Sequence, residues 1–289
     1  MSDATVQMRK PTPPVYLTGR SRRLLWYGIG IAAGLIVLIF VFAFQNISGA
    51  RKSMEEELRQ RQASAAASHT DRTDTWLSSI AERSLGLITS DLFQLYASEV
   101  DKIPGGVPIL MQRGKDTSPM DSLQLPDNKD PLDMLVDQLP LMRTMLADFV
   151  GQYNFDSASI VNSKAEVYIS TLATMPSLNS SQRKYVLEVV KSGQVLYAPL
   201  EMGQKGIVLY TYVPIMPPAY RGASNVPVAV LILSQVVDSK LGELLSPGVM
   251  DEKGRQIKLI QKNGDIYQNV IPGGTLLRQV TNFIAPAQG

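Results

Sequence analysis

Three hydrophobic patterns succeed one another along the chain. Residues 24–44, "LLWYGIGIAAGLIVLIFVFAF", form an apolar run without a charged side chain. About 20 such residues in a helix cross the hydrocarbon core of a bilayer. Next, Trp76, Ile80, Leu87, Ile88, Leu92, Leu95 and Tyr96 recur near the helical period, which predicts one apolar helix face. Beyond 157 the period shortens. β-Branched and aromatic residues concentrate in 157–162, 166–171, "QVLYAPLEM", "GIVLYTYVPI" and "VPVAVLILSQVV", which predict strands.

The intervening segments complete the order. "RKSMEEELRQRQASAAASH" is rich in helix formers and polar all round, so it predicts a solvent-bridging or partnered helix. Asp74 is read as the N-cap of the amphipathic part, and Pro104-Gly105-Gly106 as its stop. Residues 104–131 lack a sustained period and predict a loop. "PLDMLVDQLPLMRTMLADFVGQYN" predicts a helix kinked or split at Pro140. "NSSQRKYVLEVVKSG" predicts another, with Asn179 or Ser180 as N-cap and Gly193 as stop. "DSKLGELLSP" is a short helix opened by Asp238, and "IKLIQKNGDIYQNV" a hairpin turning at Asn263-Gly264. The fold class expected is α+β: a single transmembrane helix, a long stalk helix, and an antiparallel sheet flanked by helices. The expected boundaries are a tail at 1–23, the span at 24–44, the stalk at 45–103, an α/β domain at 104–250, and an incomplete second module or extension at 251–289.

Composition narrows the function. The chain has 289 residues, 45% hydrophobic and 19% charged, enough to bury a core. A net charge of +2 gives no sign of a nucleic-acid-binding face. Cys is absent, so disulfides and thiolate chemistry are excluded. His69 is the one histidine; it is read as a surface residue, because a zinc site needs more ligands of this kind. Ser181 and Lys184 spell S-x-x-K, but the partner motifs S-D-N and K-T-G are missing. No G-x-S-x-G and no P-loop occurs. Neither enzyme activity nor a cofactor is expected. Arg9, Lys10, Arg20, Arg22 and Arg23 precede the apolar run against Asp3 alone, and Arg51 and Lys52, then Glu55, Glu56 and Glu57, follow it. This asymmetry predicts a cytoplasmic N-terminus, with the main domain periplasmic or extracellular on a bacterial inner membrane.

The words "FDSASIVNSKAEVYIST", "RKYVLEVVKSGQVLYAP", "GIVLYTYVPI" and "PVAVLILSQVVDSKLGELL", in this order, resemble the extracytoplasmic Cache sensor domain, a PAS-like fold behind a membrane anchor. The resemblance covers roughly residues 76–247. It implies a small ligand held between the sheet and covering loops. The hairpin after 251 is similar to the start of a second module, as in double-Cache receptors. A full receptor of that kind carries a return helix and an output domain, so the resemblance implies a truncated chain or a separate signalling partner. Ligand-binding candidates are Tyr168, Ser170, Arg183, Tyr185, Tyr197, Tyr210 and Tyr212, with Thr171 nearby. Alternation groups Tyr168 with Ser170, and Tyr210 with Tyr212. "TYVPI" offers no acid for an amine, and the Arg183 guanidinium suits a carboxylate, so a small organic acid or other polar metabolite is expected.

The sensor reading carries a small-molecule ligand, a membrane, a homodimer through the stalk helix and no nucleic acid. The alternative is a bitopic inner-membrane scaffold subunit of a pilus or secretion machine, which shares the tail, span, stalk and small α/β domain. A concave, partly polar cavity between sheet and loops favours sensing; packed apolar side chains there favour the scaffold. For topology, protease added to intact spheroplasts is expected to digest the region after residue 45. Full protection of that region contradicts the orientation.

Overall fold

The computed structural model describes residues 19–116, 130–221, 225–245, 259–263, 266–271 and 278–279, and most side chains before residue 51 lie outside the description. The expected tail, the Asn263-Gly264 turn and residues 222–224, in the Pro-containing segment "MPPAYRGASN" before "VPVAVLILSQVV", therefore fall wholly or partly outside it. Two compact units divide the chain at Met1–Ala67 and Ser68–Gly289.

In the first unit the backbone is helical from Gly19, as the first part of α1 (Gly19–Ile88). The expected span at 24–44 lies mostly among side chains outside the description. Among the described residues no helix is long and apolar enough to cross a membrane. The side chains from 51 to 67 are exposed all round, and Arg61 pairs with Glu57 one turn away at 2.6 Å. An exposed pair of this kind contributes only ~0.3–0.5 kcal/mol.

The second unit holds the fold. Its portion of α1 turns Ile80, Ser84, Leu87 and Ile88 inward, one stripe at helical spacing. The stalk expected over 45–103 is interrupted: α1 ends at Ile88, and α2 (Asp91–Asp101) starts after Thr89 and Ser90. Asp74 lies within α1 rather than at a cap. Inside the expected loop 104–131 stands α3 (Val107–Asp116), whose Val107 and Leu110 are buried. α4 (Pro131–Tyr153) starts at an Asp130 cap that accepts from the Leu132 N–H, and ends at Asn154 in the left-handed conformation. It runs through Pro140 as one helix. Pro140 lies on the exposed side, where a lost backbone bond faces water.

The strands are β1 (Ser157–Asn162), β2 (Val167–Ser170), β3 (Leu196–Tyr197), β4 (Glu201–Gly203), β5 (Gly206–Ile215) and β6 (Ala229–Val236). They form one sheet in the order β2-β1-β6-β5-β3, with β4 also on β5. All pairings are antiparallel, as the sequence predicts. Ala158, Ile160, Leu209, Val213, Leu231 and Leu233 share a core with α1, α2, α3 and α4. The other face carries α5 (Ser180–Ser192), whose Val186 and Val189 pack on Val161, Val230 and Ile232. α6 (Asp238–Leu245) follows β6. His69 is half-buried rather than a plain surface residue: its Nδ1 lies 2.8 Å from the Leu244 carbonyl at the end of α6. The C-terminal segment adds β7 (Leu259–Asn263), β8 (Ile266–Val270) and β9 (Arg278–Gln279), a separate antiparallel sheet.

The cap of α5, left open between two residues by the sequence, is Asn179. Its side chain accepts from the Gln182 N–H, and the Gln182 side chain answers on the Asn179 N–H. Asn179→Ala is expected to cost ~1 kcal/mol in urea unfolding of the full chain, and Ser180→Ala less than ~0.5 kcal/mol. Equal effects contradict the assignment.

Candidate functional site

The two faces of the sheet divide the candidate residues. On β5, Tyr210 and Tyr212 share the α5 face, and Leu209, Thr211 and Val213 take the other. Leu196 stands opposite Tyr212, and Tyr197 opposite Thr211. Tyr197 therefore belongs to the helix-covered core, where its hydroxyl donates to the Leu77 carbonyl at 2.8 Å. It also lines an apolar cleft of about 400 Å³ with Ser78, Leu85, Gln94, Val213 and Met216. Burial holds its phenol above the ordinary tyrosine range.

The grouping of Tyr168 with Ser170 is corrected by a bulge. Ile160 stands opposite Ile169, but Val161 stands opposite Val167. Tyr168 is the extra residue, and an extra residue breaks the alternation that places side chains. Tyr168 enters the helix-side core and packs on Tyr96 at 6.2 Å between ring centres. Its buried hydroxyl has no protein partner among the described residues, and burial raises its pKa. Ser170 stays on the α5 face, paired with Ser159. Thr171 is spent on β1, bonding the Ala158 N–H at 3.0 Å.

What assembles on the α5 face is a sheet surface in two halves. The half under α5 is apolar, with Val161 and Val230 packed against Val186 and Val189 of the helix. The neighbouring half is hydroxylic. Ser159 donates to Ser170 at 2.9 Å, and the Ser157 and Ser234 hydroxyls lie 2.7 Å apart. Ser234 stands opposite Tyr210. Tyr212 sits at the junction, with its ring 5.6 Å from that of Tyr185 on α5. It is fully buried, and its hydroxyl has no protein partner among the described residues.

A carboxylate completes this group. Glu201 on β4 stands opposite Val208, and Val208 shares its face with Tyr210 and Tyr212. Burial first, and then the Glu201 charge, raises the pKa values of Tyr185, Tyr210 and Tyr212. Glu201 thus shares the face of Tyr210 and Tyr212, where the sequence reading expected no acid. Sequence reasoning sought it along "TYVPI", whereas it arrives from the next strand by register. Arg183 lies exposed on α5, and no bond joins it to this group in the structure. Among the described residues no cluster of His, Cys, Asp or Glu is arranged to hold a metal. Phenol faces and a carboxylate suit a positively charged nitrogen.

No family model and no curated protein matches the sequence. Solved structures give a distant likeness to ligand-binding and sensory domains of the Campylobacter jejuni chemoreceptor Tlp3. The domain in complex with 4-methylisoleucine is 14% identical, with 66% of this chain and 86% of that one covered at a TM-score of 0.30. The domain with isoleucine bound is 13% identical, at 70% and 89% coverage and a TM-score of 0.29. The complex with L-norvaline is 12% identical, at 68% and 85% coverage and a TM-score of 0.29. Values this low assign neither a family nor a ligand to this chain.

The tyrosines give a test with a definite sign. A phenol whose folded pKa lies above its unfolded value of about 10 adds stability below that pH, and loses it as pH climbs through the folded value. Absorbance titration of the full chain is expected to show several tyrosines ionising later than free tyrosine, Tyr212 among them, and Tyr212→Phe to lower the amplitude of the late step by one tyrosine. Tyr212→Phe is expected to leave stability within ~0.5 kcal/mol of wild type, whereas Tyr197→Phe costs ~1 kcal/mol by losing its bond to Leu77.

Proposed function

We propose that this chain is a membrane-anchored sensor module that binds a small ligand bearing a positively charged nitrogen. The observation that carries the reading is the strand register by which Glu201 shares a sheet face with Tyr210 and Tyr212, beside the hydroxyl stripe of Ser157, Ser159, Ser170 and Ser234. Aromatic faces attract a cation by ~0.5–2 kcal/mol each, according to desolvation. The carboxylate adds charge, and the serines and the Tyr212 hydroxyl supply groups that orient a polar ligand. This differs from the organic acid expected from Arg183, which lies exposed on α5.

Anchoring rests on the sequence of 24–44 and its flanking charges. The exposed Leu35, Val37, Leu38, Val41, Phe42 and Phe44 support it, since apolar surface of this extent marks contact with lipid or protein. A parallel homodimer through α1 is the second part of the proposal. A helix exposed all round over 51–67 gains little from its own chain, and a partner helix supplies the missing contacts. The sensing domain then lies outside the cytoplasm.

The scaffold reading has one observation in its favour, the close packing of Val186 and Val189 on the upper half of the same face. Ligand screening separates the two. The full chain in detergent is expected to melt higher with n-propylammonium or tetramethylammonium than with succinate at equal ionic strength. At 100-fold its Kd a ligand adds ~2.7 kcal/mol, several degrees for a domain of this size. Glu201→Gln is expected to weaken ammonium binding about tenfold, ~1.4 kcal/mol. If no amine shifts the transition, or if succinate alone does so, the reading falls.

A further inference from the structure

Between β3 and β4 the chain leaves the ladder of the main sheet. The Ala198 N–H donates to the Tyr210 carbonyl at 2.9 Å, and pairing with β5 resumes where Glu201 meets Val208. Leu200 lies between these rungs, buried in the helix-side core. A buried peptide group without a partner costs about as much as a lost hydrogen bond.

A side chain from the C-terminal sheet closes both of its backbone groups. The Leu200 N–H donates to Gln261 Oε1 at 2.7 Å, and Gln261 Nε2 donates to the Leu200 carbonyl at 2.8 Å. One carboxamide thus makes the pair of bonds that a neighbouring strand residue would make. Its orientation is set in turn, because Nε2 also donates to Gln268 Oε1 at 3.1 Å. Gln268 stands directly opposite Gln261 in the β7–β8 pairing. Val270 is part of the main core and Leu259, its partner across the hairpin, packs against that core, so both strands of the hairpin that carries Gln261 are fixed to the domain at its open end.

The held carbonyl belongs to the peptide unit that joins Leu200 to Glu201. Its orientation sets the direction in which the Glu201 side chain leaves the backbone. We propose that Gln261 is a positioning residue for the ligand site: it holds the Leu200–Glu201 peptide so that the carboxylate stays beside Tyr185, Tyr210 and Tyr212. This inference rests on the binding reading given under Proposed function. It also gives the C-terminal sheet a part in the site.

The test uses the full chain and n-propylammonium as probe. Gln261→Ala is expected to weaken binding by about fivefold or more, and to add no further loss in a Glu201→Gln background, since positioning acts only through the carboxylate. Gln261→Glu keeps an acceptor for the Leu200 N–H and loses the donor to its carbonyl, so a loss between wild type and Gln261→Ala is expected. Hydrogen exchange at the Leu200 amide is expected to rise in Gln261→Ala. An unchanged affinity in Gln261→Ala and Gln261→Glu overturns the proposal, as does an equal loss with and without Glu201. A wild type that fails to bind the probe removes the binding reading and this inference together. A wild type that binds, with Gln261 variants that bind equally well, removes this inference alone.

Discussion

The pairing of β5 with β6 is the constraint on which the rest of the structure depends. Its register runs without interruption from Val208 opposite Val236 to Ile215 opposite Ala229. β1 hangs on the outer side of β6, and β3 and β4 on the outer side of β5. Both faces of this central pair are largely buried, so register is strongly specified. A slip of β5 by one residue would drive Tyr210 and Tyr212 into the helix-side core and turn Leu209 and Val213 out. The same alternation that builds the core thus assigns the candidate binding groups to the opposite face.

That opposite face is not uniform. α5 covers the part made of valines, and the capping box at Asn179 with the left-handed Gly193 sets where the helix begins and ends. The remaining part keeps serine hydroxyls bonded to one another across strands, so their polarity is satisfied at low cost. Tyr185 and Tyr212 meet at the seam. The proposed ligand, an apolar body with a charged nitrogen, follows from a face that is apolar on one side and hydroxylic on the other, with a carboxylate at its edge.

The hairpin of β1 and β2 is tied down from its turn as well as from the sheet. Asn162 and Glu166 bond across it, and Ser163 donates to Asp101 at the end of α2. Glu166 also accepts from the Val107 N–H at the start of α3. These bonds keep the bulge next to α2, where Tyr168 meets Tyr96. The candidate site and the helix-side core are therefore separated by the backbone of a single strand.

Local chemistry made much of this legible in the sequence. Period-two runs marked the strands, and Asn179, Gly193 and Asp238 marked helix ends, because caps and alternation depend on residues only a few positions apart. The charge asymmetry around 24–44 is likewise a property of neighbouring residues. What only the tertiary structure decided depends on distant partners. The side of the sheet on which Tyr168 falls follows from an extra residue in β2, seen only against β1. The break at Thr89–Ser90 interrupts a segment whose apolar spacing continues across it, so periodicity could not reveal it. Glu201 reaches the tyrosines through strand register, and Gln261 reaches Leu200 across an interval of 61 residues. No short-range pattern in the sequence records such a contact, because its energy comes from groups that meet only once the sheet has formed.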